Sequence, residues 1–124
     1  MFDVSDVANP KEVSSVKLGQ NTYSDLSYNY KALLFSKEKN IFAFPITGYK
    51  GAGMESSFVV YSVDLEKGLQ LKGKVTHING VNYDYNKIIN RGVYIGDTLF
   101  TLSPALVKAT DLNTMKEISE VGIK

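Results

Sequence analysis

Apolar runs of strand length, each closed by a short polar cluster, recur along the chain. In "YKALLFSKEKNIFAFPITGYK" two such runs, Ala32–Phe35 and Ile41–Ile46, flank the polar tetrad Ser36-Lys37-Glu38-Lys39. That pattern predicts a hairpin. "SSFVVYSVDL" is a third run, rich in β-branched and aromatic residues, and Glu66-Lys67-Gly68 turns it into a fourth, "LQLKGKVTHI". The order then repeats as Gly92–Ile95, a Gly96-Asp97 turn, Leu99–Ser103, a break at Pro104, Leu106–Leu112, an Asn113-Thr114 turn and Met115–Ser119. A Gly-Asp pair suits the two-residue hairpin turn, which needs positive φ. Apolar spacing of period 3.6 is not sustained beyond about ten residues anywhere. The chain reads as all-β.

The repeat narrows the architecture. "FDVSDVANPKEV" opens with Asp3 between apolar residues, then a polar turn and a second strand-like run; "DLEKGLQL" and "DLNTMKEI" echo it at Asp64 and Asp111. These aspartates are 61 and 47 residues apart, near the length of a four-stranded propeller blade. With the aspartate closing strand C of each unit, the chain divides into three parts. Residues 1–19 form the C–D half of an incomplete blade, 20–78 a four-stranded blade and 79–124 another. The predicted fold is thus a partial β-propeller of about two and a half four-stranded antiparallel blades. Strand C of the middle unit supports stacking: Phe58 and Val60 point one way, Val59, Tyr61 and Val63 the other, and both faces are apolar. A strand between neighbouring blades buries both faces, whereas a sandwich strand solvates one. An irregular two-sheet sandwich is the competing architecture.

Beyond the repeat, three stretches carry a family resemblance. "FDVSDVANPKEV", "YKALLFSKEKNIFAFPI" and "YIGDTLFTLSPALVKATDL" resemble bacterial secreted proteins with a C-terminal β-propeller domain, distant relatives of the WD-repeat propellers. The likeness spans essentially the whole chain and is most specific in "LLFSKEKNIFAFP" and "YIGDTLFTL". It implies a secreted or cell-surface setting and no established catalytic chemistry. Members of that family carry a leader and several more blades, so the resemblance implies a C-terminal piece of a longer protein.

Composition removes several classes of function. Fourteen basic and thirteen acidic side chains leave a net charge of +1, without the basic stripe of a nucleic-acid binder. Cysteine is absent, which removes disulfides, thiolate metal sites and cysteine nucleophiles. Apolar runs fall well short of the roughly 20 residues that span a bilayer. His77, the single histidine, cannot assemble a usual zinc site without cysteine partners, and reads as a structural or surface residue. "NYDYN" places Asn82, Asp84 and Asn86 at alternate positions like the start of a calcium loop, but Lys87 and Val93 stand where that loop needs glycine and glutamate. Gly51-Ala52-Gly53 lacks the strand–turn–helix setting and the lysine of a phosphate loop. The recurrent aspartates read as turn closures that accept backbone N–H bonds. No catalytic residue, metal ligand or cofactor is assigned.

One positive signal comes from loop lengths. Antiparallel strands send A–B and C–D turns to one end of the blades and B–C and D–A connections to the other. The first set is short; the second holds "GQNTYSDLSYN" (19–29), "GYKGAGMES" (48–56) and "NGVNYDYNKIIN" (79–90). Five of the eight tyrosines, Tyr23, Tyr28, Tyr49, Tyr83 and Tyr85, fall in these three loops. Long loops on a rigid scaffold commonly carry binding, and tyrosine offers large contact area at low entropic cost. Stapling the loops to the blade ends is the alternative role for the same rings. The expectation is a non-enzymatic binding or scaffolding segment whose partner is a protein or other extracellular ligand. A rival class is a propeller hydrolase or lyase with its catalytic groups in other blades; the inner strands "ALLF" and "GVYI" show no carboxylate or histidine that would favour it. Open blade faces lead to the further expectation that the chain self-associates.

Overall fold

Strands make up nearly all the regular structure of the computed structural model, which describes residues 1–80 and 82–123; Val81, in the 79–90 loop, and Lys124 lie outside the described residues. Pairing is antiparallel throughout. A two-stranded N-terminal sheet joins β1 (Phe2–Asp3) to β2 (Lys11–Glu12). The middle sheet holds β3 (Thr22–Tyr23), β4 (Leu34–Ser36), β5 (Ile41–Lys50), β6 (Gly53–Asp64) and β7 (Gly68–Asn79). The last, in the order β11-β10-β9-β8, is built from β8 (Arg91–Ile95), β9 (Thr98–Leu102), β10 (Leu106–Asp111) and β11 (Glu117–Gly122). No α-helix occurs among the described residues, only three single turns of 3-10 helix. These are the blades of an all-β partial propeller.

The two larger sheets pack face to face through Ile41, Ala43, Phe58, Val60, Val75, Ile89, Leu99 and Leu112, all buried. Gly92 is what lets β8 approach β6. A Cβ there would overlap the Phe58 ring edge, lying 2.6 Å from Cε1 and 2.8 Å from Cε2. Polar bonds finish the seam. Ser36 and Tyr94 share a hydroxyl–hydroxyl bond of 2.9 Å, Lys39 meets Asp97 at 2.6 Å, and Ile89 N–H donates to Ser56 Oγ at 2.8 Å. Ser36 to Tyr94 and Lys39 to Asp97 are both separations of 58 residues, so equivalent positions of successive blades touch. The shorter Asp64-to-Asp111 spacing follows from β5 and β6, which run 10 and 12 residues against 5 and 6 for β9 and β10.

The other face of β6 is also buried, as its two-sided apolar pattern demands. Phe44, Val59 and Tyr61 cluster there, with Phe44 stacked on Tyr61 at 6.1 Å and Phe42 edge-on to Phe44 at 5.6 Å. Its cover is not a second four-stranded sheet but the connecting segment that brings in Leu18 and Leu26. Ser14 pins this segment: its carbonyl accepts from the Met1 ammonium at 2.6 Å and its Oγ from Leu69 N–H at 3.2 Å.

Three local expectations are corrected. Residues 48–56 are not a long loop: β5 and β6 stay paired to Lys50↔Gly53 and turn on Gly51-Ala52 alone, with Gly51 at φ +55°. A tight turn needs only one glycine, and buried Met54 ties the extension to the core. Strand A begins at Leu34 rather than Ala32, because Asn29 caps a 3-10 turn over Tyr30–Ala32. The last strand is Glu117–Gly122 rather than Met115–Ser119, since Met115 adopts φ +56° and closes the turn after Asp111.

Candidate functional site

The extended β5–β6 hairpin gathers most of the candidate tyrosines. β3 pairs with the far half of β5 as Thr22↔Gly48 and Tyr23↔Thr47, which sets the Tyr23 ring edge-on to Tyr49, centroids 6.1 Å apart. From the other side, Asn79 pairs with Glu55, so the 79–90 loop leaves the sheet beside the hairpin tip. Tyr83 reaches that tip, donating from its hydroxyl to Gly51 O at 3.3 Å. The 48–56 and 79–90 segments therefore share one end of the blades. Tyr85 begins a 3-10 turn capped by Asp84 Oδ1, which accepts Asn86 N–H at 3.2 Å. That turn rests on the β9–β10 connection through Ala105 N–H to Asn86 O at 2.8 Å. Tyr28 bonds within its own turn, to Asp25 Oδ1 at 2.7 Å, and this acceptor raises the phenol pKa above its ordinary value.

All five candidates have accessible rings, from 37% exposed at Tyr49 to 80% at Tyr28, whereas Tyr61 on β6 is 6% exposed. Tyr94 is half-buried against the seam. The sequence reading missed Tyr30, as exposed as Tyr28, because it sits against the predicted first strand and not within a long loop.

The recurrent aspartates do one job. Asp64 Oδ1 accepts Glu66 N–H at 2.9 Å and Lys67 N–H at 2.7 Å; Asp111 Oδ1 accepts Asn113 N–H at 2.7 Å and Thr114 N–H at 2.9 Å; Asp3 Oδ1 accepts Ser5 N–H at 2.9 Å. These backbone donors hold all three carboxyls below the ordinary aspartate range. Among the described residues, no three of histidine, cysteine, aspartate or glutamate converge as a metal site.

His77 takes an arrangement that the sequence did not disclose. It stands on β7, and across the seam its Nε2 lies 2.9 Å from Thr101 Oγ1 and its Nδ1 3.1 Å from Ser103 Oγ. Both hydroxyl residues are buried. With Ser103 Oγ donating to Leu106 O at 3.1 Å, we assign the tautomer in which His77 Nδ1–H donates to Ser103 Oγ and Thr101 Oγ1–H donates to Nε2. In that tautomer every proton of the cluster has an acceptor. It is the reverse of a catalytic serine–histidine pair, in which an unprotonated ring nitrogen faces the serine. Burial pushes His77 down to about 4, Lys108 and Lys87 add to the effect, and Glu120 and Glu117 oppose it.

The family comparison agrees with this architecture. Residues 1–115 match the family described as beta propeller domain. A protein of uncharacterised function from Archaeoglobus fulgidus is 25% identical over 124 residues, covering all of this chain and 17% of the relative's own length. No solved structure matches. With the match running from β1 through the turn after β10, the chain belongs to the beta propeller domain family.

Proposed function

We propose that this chain is a non-enzymatic binding segment whose contact surface is the end of the blades bearing Tyr23, Tyr49, Tyr83 and Tyr85. The observation that carries the reading is the gathering of Tyr23 on β3, Tyr49 on β5 and Tyr83 from the 79–90 loop along the far half of the β5–β6 hairpin, Tyr23 against Tyr49 and Tyr83 at the Gly51-Ala52 tip, all three still accessible. Rings needed only as staples would be buried, as Tyr61 is. A raised hairpin edged by aromatic rings offers a partner contact area with little side-chain entropy to lose. The partner is a protein or other ligand met outside the cell, in keeping with the secreted proteins that the sequence resembles.

A random phage-displayed peptide library panned against the chain tests the surface. Selected peptides should lose binding to the combined Tyr49→Ser, Tyr83→Ser, Tyr85→Ser variant and keep it with Phe35→Ser. Peptides indifferent to the three tyrosines would overturn the assignment. For the non-enzymatic reading, hydrolysis of chromogenic esters or glycosides that disappears in Ser103→Ala would be the contrary result.

Self-association belongs to the same proposal. Phe2, Val4 and Leu65 stay exposed around a groove also lined by Met1 and Val13, and contiguous apolar surface of this kind favours a second copy. A light-scattering mass fixed at 13.7 kDa at every concentration would refute it.

A further inference from the structure

We propose that the seam between the two large sheets carries an acid-released latch, in which neutral His77 ties β7 to the β9 end and protonated His77 lets go. The latch is a short relay: Thr101 O–H donates to Nε2, Nδ1–H donates to Ser103 Oγ, and Ser103 O–H donates to Leu106 O. A second ring proton would sit on Nε2 and point at Thr101 Oγ1. Thr101 would then have to turn its own proton elsewhere, at a position with no solvent exposure. Reorienting a hydroxyl away from its partner without access to water is costly, and so is the new charge on a largely buried ring.

The charged groups around the ring do not relieve that cost. Lys108 on β10 and Lys87 in the 3-10 turn oppose a second positive charge. Glu117 and Glu120 on β11 favour it, but both carboxylates are engaged by Lys108 Nζ, at 3.0 Å and 3.3 Å. Ring and hydroxyls are therefore matched only while the imidazole is neutral.

Position gives the latch a direction. Ser103 adjoins the β9–β10 turn at the tyrosine-bearing end, whereas Lys39–Asp97 and Ser36–Tyr94 close the seam at the opposite end. Release would loosen the seam beside the tyrosine loops, leaving Ile89 N–H to Ser56 Oγ as the remaining polar tie at that end while the far end holds. The latch stands on the seam geometry and does not depend on what those loops bind.

His77 is the single histidine, so its ring is the sole imidazole signal in an 15N-labelled sample of the chain. The expected spectrum shows the Nδ1–H tautomer at neutral pH and a ring still neutral at the ordinary histidine pKa of about 6.5. The unfolded chain binds a proton at that ordinary value and the folded chain only near 4. This contribution to stability is therefore complete above the unfolded value and lost as pH falls between the two. Amides of residues 75–79 and of β9 should exchange faster, after correction for intrinsic pH dependence, as the ring becomes charged; those of β4 should not. His77→Gln can donate to Ser103 and accept from Thr101 without titrating, so its melting temperature should not track pH over that window as the wild type's does. Titration near the ordinary value, the Nε2–H tautomer, or the same acid profile in His77→Gln would each overturn the latch. The spectrum of the wild type decides even if the variant fails to fold.

Discussion

Gly92→Ala adds one methyl group at the tightest point of the seam. The new Cβ would overlap Phe58 Cζ and lie 2.6 Å and 2.8 Å from the adjacent ring carbons, inside the roughly 3.5 Å at which carbon atoms pack well. Phe58 is fully buried among Ile41, Val60, Val75 and Leu99, so the ring cannot retreat without displacing a neighbour. Overpacking of this kind costs about 1–3 kcal/mol. Against it stands the ordinary gain of about 0.5–1 kcal/mol when a strand glycine becomes alanine, which applies because Gly92 is not among the positive-φ residues. Taking the middle of each range, the net expectation is a loss of about 1 kcal/mol, or roughly 4 °C in melting temperature for a domain of this size. Phe58→Leu shortens the opposing side chain and should by itself cost about 1–2 kcal/mol through lost packing. Urea unfolding of both single variants and the double completes a cycle. The double should recover at least about 1 kcal/mol relative to the sum of the singles, as contacting residues do. A neutral or stabilising Gly92→Ala, or strict additivity in the double, would refute the claim that glycine at this position sets the approach of the two sheets.

The tyrosines divide by burial. Tyr61→Ala removes a ring stacked on Phe44 and should cost about 3 kcal/mol, while Tyr83→Ala should stay within about 0.5 kcal/mol; equal losses in thermal melts would make Tyr83 a staple. Asp64→Ala and Asp111→Ala should each lower the urea midpoint at neutral pH by freeing two turn amides. Because the folded-state carboxyls lie below the ordinary 3.8, that stabilisation is present above the unfolded value and disappears as pH falls through the folded one. Variant and wild type should therefore converge in acid, and a gap that persists there would show that the aspartates act by something other than charge-assisted turn closure.

Much of the fold is legible in the residues because it depends on local periods. Alternation around "SKEKN" and "GD" specifies hairpins, the aspartate that ends each strand C marks the repeat, and two apolar faces on residues 58–61 require cover on both sides. Each of these signals lies within a few neighbouring positions, where strand geometry and turn chemistry act directly. The turn function of Asp64 and Asp111 was readable for the same reason. The sharing of one blade end by the 48–56 and 79–90 segments was also accessible, since antiparallel order alone dictates it.

Other features were decided only by assembly. The Gly51-Ala52 turn looked like part of a loop because its strands are held by pairing and by buried Met54, contacts that no window of sequence contains. The cover on the Tyr61 face came from Leu18 and Leu26, more than 30 residues away in the chain. Gly92 looked like an ordinary strand glycine until Phe58 was placed against it. His77 drew partners 24 and 26 residues further on, and its tautomer follows from a carbonyl, Leu106 O, that belongs to a third position. Local pattern selects strands and turns; which side chains meet across the seam depends on the register and rotation of whole sheets, and those are properties of the packed chain.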